Sequence, residues 1–249
     1  MALVASLAFE SQFRFSDRVA QLLDRIDCRL ADSVEDREAI FRLRYDAYLQ
    51  EEAITPNFAQ TFYDPFDDAE NVWLFGLYID GDLASSIRLH VASEDNRDFP
   101  SRHVFADVLE PELDAGKVII DPTRFVTHKD HSRVNPGLTY ATCRLAWMAA
   151  GYFGADHLLA AVRVEHQAFY RRTFNHRRLC DPRPYPLLAK PISLMTVHYP
   201  SVADQVHQRY PFLRSTLFER RMLFERRHPL ALAPTLTPVA GDAGLVKAR

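Results

Sequence analysis

With 249 residues, 47% of them hydrophobic, the chain is long enough to bury a substantial core and has an ordinary globular composition. Against 30 Lys and Arg stand 33 Asp and Glu, a formal charge of -3, so no global basic excess points to nucleic acid as a partner. Three scattered cysteines, Cys28, Cys143 and Cys180, argue against a disulfide framework and a Cys-rich zinc site, and read as reduced thiols of a cytoplasmic protein. The start "MALVASLAFESQF" lacks the basic region of a signal peptide, and the longest apolar run, 145–155, falls short of the ~20 residues that span a bilayer.

Ser16 can cap a helix over 16–27 with Val19, Leu22, Leu23 and Ile26 on one stripe, within an N-terminal helical extension at 1–27. A short strand is expected at 28–33. Ser33 can cap the next helix, 34–51, where Ile40, Leu43 and Ala47 share one stripe and Arg44 and Tyr48 another face. Residues 55–71 read as loop. The runs "VWLFGLYI" (72–79) and "LASSIRLHV" (83–91) flank an Asp-Gly turn and predict a hairpin. Residues 92–116 read as irregular or part helical, 117–127 as a strand, and 128–135 as a loop. Asn135 as cap, Pro136 in the first turn and Gly154 at the end frame a further helix. Then come a strand at 157–164, a helix at 165–174 and a late strand at 189–199. Residues 201–228 are helical by pattern, with a near repeat "LFERRM" and "LFERRH". The tail 229–249, rich in Pro, Ala and Gly, reads as disordered. This order predicts a mixed α/β sheet in a main domain at 28–200.

The strand "KVIIDPTRFVT" (117–127) carries opposite charges, Asp121 and Arg124, around Pro122. Buried charges cost several kcal/mol unless paired. Residues three apart in a regular strand face opposite sides. Proline within a strand marks an edge or a bulge, and a bulge here would turn both charges toward one site.

Four motifs stand in order: "LRYDAY" (43–48), Asp64-Pro65-Phe66-Asp67, Arg88-Leu89 and Asp121-Pro122-Thr123-Arg124. Order and internal spacing resemble the acyl-homoserine-lactone (autoinducer) synthases and the related N-acyl amino acid synthases, over residues 28–180. The resemblance implies an α/β acyl-CoA N-acyltransferase (GNAT) fold, a mixed central sheet with splayed fourth and fifth strands and flanking helices. The Trp that autoinducer synthases carry after the first motif is missing, Tyr48 replaces their Phe, and Asp121 their Glu. "AFYRRTF" (168–174) is instead similar to the last helix of general acyltransferases. These departures favour the N-acyl amino acid synthases. An autoinducer synthase is the alternative within the same class, and a non-catalytic acyl or carrier-protein binding module the alternative outside it.

The implied chemistry is attack of an amine on a thioester carbonyl. The resemblance makes Asp121 the ammonium partner or base and Tyr170 the proton donor to the leaving thiolate. Arg88 and Arg124 are candidates to grip an acceptor carboxylate or to fix the acids, and Arg44 to hold the acidic loop of Asp64 and Asp67. The competing reading of all these charges is a structural ion-pair network. Asp64 and Asp67 lack the further ligands that a metal site needs.

No permanently bound cofactor is implied. GNAT enzymes cradle the coenzyme A pyrophosphate in a Gly-rich loop, and the matching "RVNPGL" (133–138) has Pro136 and Leu138 at the small positions. That favours acyl-phosphopantetheine on acyl carrier protein over acyl-CoA as the donor, with Arg133 as a phosphate contact. The basic stretches "YRRTFNHRR" (170–178) and "RSTLFERRMLFERRH" (214–228) suit an acidic carrier protein, and the C-terminal helix also a membrane surface; ordinary solvated faces are the competing reading. Within the latter, Leu217, Phe218, Leu223 and Phe224 read as packing residues.

Overall fold

A computed structural model describes residues 15–225, so the tail expected to be disordered lies outside the described residues. Helix α1 (15–23) leads to strand β1 (Ile26–Leu30) and helix α2 (Val34–Gln50). Ser33 caps α2 by accepting the Asp36 N–H at 3.0 Å. A 3₁₀ turn, Pro65–Asp68, precedes the hairpin of β2 (Val72–Ile79) and β3 (Asp82–Ala92). Helix α3 (Pro100–Asp114), strand β4 (Ile119–Thr127), and helices α4 (Lys129–Val134) and α5 (Leu138–Tyr152) follow. The chain continues through β5 (His157–Val162), α6 (Gln167–Phe174), β6 (Arg177–Arg178), β7 (Ser193–His198), α7 (Tyr199–Arg209) and α8 (Leu217–Phe224).

One sheet holds all seven strands in the order β1-β2-β3-β4-β5-β7-β6, antiparallel except where β4 meets β5. Those two pair only at Ile119–His157 and Ile120–Leu158 and then part. This is the mixed sheet with a splay between the fourth and fifth strands that the motifs imply. On one face α5 buries Trp147 against a core that includes Phe75, Leu77, Leu89 and Ile120. On the other, Phe105 and Leu109 of α3 pack with Ile119 and Leu159, while Ile40 of α2 packs with Leu74.

Several elements differ from the sequence reading. Residues 129–134 are helical rather than loop, and Asn135 closes α4 by donating its backbone N–H to His131 O at 2.9 Å instead of capping α5. Helix α5 starts at Leu138 behind Gly137, where a Cβ would meet Val19 Cγ2 at 3.1 Å; close approach of α1 selects the glycine. Gly154 does end the helix region, at φ +62°. Helix α3 fills most of the stretch read as irregular or part helical; its N-cap residue, Phe99, offers no side-chain cap. The C-terminal helical region is two helices separated by a 3₁₀ turn. Phe224 is buried there, but Leu217 and Phe218 are exposed, not packed.

Candidate active site

The acidic pair is built locally. Asp64 accepts the Phe66 N–H at 3.0 Å, and Asp67 reaches back to the Asp64 N–H at 3.1 Å, so the three-residue spacing caps a 3₁₀ turn. The outward oxygens of both acids meet arginines from three other elements. Arg44 of α2 donates to Asp67 at 2.8 Å. Arg88 of β3 lies 2.7 Å from Asp64 and 3.1 Å from Asp67. Arg124 of β4 donates to Asp64 at 2.6 and 3.1 Å. All five side chains are buried.

Three guanidiniums against two carboxylates leave one positive charge in excess. Burial alone would raise the Asp64 carboxyl, but the bonds and charges of Arg88 and Arg124 hold it at about 2. Arg44 keeps Nε and Nη2 without hydrogen-bond partners inside the protein. A buried cation left partly unpaired is costly; the Phe41 ring, 5.4 Å from the guanidinium carbon, lies under this one.

Arg124 joins this network through a bulge. Ser86 pairs with Val126 and Arg88 with Thr123, so Ile87 alone faces Arg124 and Phe125. Arg124 adopts φ +53°, a left-handed backbone that a non-glycine residue takes only under constraint. Pro122 stands just past the last β4–β5 pair, where the ladder on that side has ended.

Asp121 sits apart from the ion pairs. Fully buried, it accepts the Ser101 N–H at 3.0 Å and the Ser101 hydroxyl at 2.7 Å. It thus supplies the start of α3 with the cap that Phe99 lacks. Burial pushes its carboxyl up to about 6, against the Ser101 bonds and the Arg88 charge. Tyr185 stands near Ser101 and Asp121.

Past the splay a cavity of about 610 Å³ opens between β4 and β5, within the size range of ligand sites. Tyr48 and Arg124 line one side, Cys143, Tyr170 and His176 another. Tyr170 stands beside Cys143; burial first, then the neighbouring thiol, raises its hydroxyl well above its usual range. Burial likewise pushes the Cys143 thiol up to about 12. At the mouth, Arg163 bridges to Glu51 at 2.9 Å.

The structure therefore gathers Arg44, Asp64, Asp67, Arg88 and Arg124 in one network, with Asp121 beside it and Tyr170 across the cavity. Arg133 stands exposed on α4, and its helix reaches the cavity through Lys129 and Ser132 instead. Ser101, Tyr185, Cys143 and His176 carry no motif signal, because their contacts come from distant parts of the chain.

The family model described as N-acyl amino acid synthase FeeM matches residues 39–198. The chain belongs to this family. No curated protein matches it by sequence. Among solved structures it is similar to FeeM itself, an N-acyl amino acid synthase from uncultured soil microbes, at 18% identity and a TM-score of 0.62, over 74% of this chain and 97% of that one. TofI, solved in a ternary complex with an inhibitor and MTA, is similar at 13% identity and 0.56, over 75% and 96%. The CoA-dependent acyl-homoserine lactone synthase BjaI is similar at 18% identity and 0.55, over 75% and 89%. These likenesses share the GNAT-like fold, and membership of the FeeM family makes the chain an acyltransferase. Among the described residues no helix is long and apolar enough to cross a membrane.

Proposed function

We propose that the enzyme moves a medium or long fatty acyl chain from acyl carrier protein to the amine of an amino acid. Arg124 carries this reading: it lines the cleft and is also bound to Asp64, so the cationic network borders the space where acyl transfer would occur. Arg88 and Arg124 are the groups proposed to grip the acceptor carboxylate; the other role open to them is to fix Asp64 and Asp67. The ammonium gives its proton toward Asp121, whose raised carboxyl suits a base near neutral pH, by way of the Ser101 and Tyr185 hydroxyls. The free amine then attacks the thioester carbonyl; the C–N bond forms, the C–S bond breaks, Tyr170 protonates the departing thiolate, and the second proton that leaves the nitrogen restores the Tyr170 hydroxyl.

Two features favour a carrier-protein donor over coenzyme A. Pro136 deprives the turn before α5 of an N–H that a pyrophosphate would need. Arg171, Arg172, Arg177 and Arg178 are all exposed along α6 and β6, next to the cleft wall, where an acidic carrier protein would dock. The membrane-surface role of the C-terminal helix is a further proposal, supported by exposed Leu217, Phe218 and Met222.

Purified enzyme with acyl carrier protein thioesters and mixed amino acids is expected to release thiol and to form a product with the mass of an N-acyl amino acid. A product that opens in base would mark a lactone instead, and absence of thiol release with every acceptor would leave a binding module. Asp121→Asn should lower turnover by about 10²-fold or more in a protein that still folds. Arg88→Ala should raise KM for the acceptor, and an unchanged KM would reduce it to a scaffold.

A further inference from the structure

We infer that the cavity is built for an acyl chain that carries a hydroxyl group, and that His176 recognises it. This rests on the reading of the cavity as the acyl-donor site. His176 lies between α6 and β6, is 3% exposed, and lines the cavity. Neither Nδ1 nor Nε2 has a hydrogen-bond partner within the protein. The carbonyls of Leu158 and Leu159 lie near the ring and favour its charged form, without meeting hydrogen-bond geometry.

The sheet register fixes its depth. Arg177 pairs with Thr196, and Thr196 with Leu159, one residue past the last β4–β5 pair at Leu158. His176 is therefore at the closed end of the wedge, opposite the mouth at Arg163. Its neighbours there are mostly apolar: the rings of Tyr170 and Phe174 lie 5.7 and 6.1 Å away.

Burial lowers the imidazole to about 3, so it is neutral at ordinary pH, with one N–H donor and one acceptor nitrogen. Buried polar groups are nearly always paired, and leaving one unpaired is costly. A hydroxyl can accept from the N–H or donate to the bare nitrogen. A keto oxygen only accepts, and a methylene does neither. A site with an unsatisfied polar group discriminates against the ligand that leaves it so.

The test uses the full chain and unreactive thioether analogues of acyl-phosphopantetheine, with a hydroxyl stepped along the chain, measured by calorimetry against the plain analogue. At one chain position the hydroxyl is expected to tighten binding about ten-fold or more. His176→Leu should bring that analogue back to the affinity of the plain one, and His176→Gln, which keeps a donor and an acceptor, should retain part of the preference. A flat scan, or a preference that survives in His176→Leu, overturns the inference; should the leucine variant not fold, the wild-type scan and the glutamine variant decide. Equal binding of plain and hydroxylated analogues leaves the donor reading standing, whereas no binding of any analogue removes both.

Discussion

Asp121 and Asp64 are buried carboxyls with opposite titration behaviour, and together they give the molecule a distinctive pH response. Asp121 in the folded state titrates at about 6, above the ordinary 3.8, so the native state holds its proton more tightly than the unfolded chain. Stability then falls as pH rises from about 4 to 6, by about 3 kcal/mol. Asp64 is shifted the other way, to about 2; its contribution is complete above pH 4 and is lost as pH falls toward 2. The joint contribution peaks near pH 4. Asp121→Asn should flatten the slope between pH 4 and 6 while sparing the acid limb, in unfolding midpoints taken across pH; an unaltered upper slope would contradict the placement of Asp121. Much of this chemistry was legible in the sequence, because the Asp64–Asp67 spacing reflects a local cap and Asp121, Pro122 and Arg124 are neighbours in the chain. Ser101 was not, since it meets Asp121 from 20 residues away.

At the scale of elements, local rules succeed where the cap is local and fail where it is borrowed. Ser33 announces α2 because its own side chain closes the first turn. The extent of helix α3 is not legible in the stretch read as irregular or part helical, because its cap comes from β4 and Pro111 within it reads as a breaker. Helix α8 is a subtler case: its pattern was right, but burial falls on Phe224 alone of its two phenylalanines. Phe224 is 2% exposed and packs against Phe75, Tyr152 and Phe153, whereas Phe218 is 73% exposed. Phe224→Ala should cost about 3–5 kcal/mol, and Phe218→Ala less than about 0.5 kcal/mol. Urea midpoints of the two variants check this, and comparable losses would mean that α8 packs by a different face.

For the whole molecule, the succession of elements and a mixed sheet followed from hairpin and helix signals, but the short strand β6 and the depth of the splay did not, because no residue pattern states where a ladder stops. Past Ile120 and Leu158, the facing edges of β4 and β5 have no partner strand. An acyl donor in the cleft would meet both edges, and its amide-bearing arm could bond to them. Backbone amides within 123–127 are therefore expected to gain hydrogen-exchange protection when an unreactive donor analogue is added, while those in the fully paired β2–β3 hairpin change little; uniform protection would place the donor elsewhere. The two leaflets, β1 to β4 and β5 to β6, are sewn together by only two residue pairs. A donor lying between them would be a stitch as well as a reactant. At a hundredfold excess over its Kd it would add about 2.7 kcal/mol to stability. In a cell short of acyl donor the same chain would open more often and be degraded sooner, so its abundance would follow the supply of its own substrate.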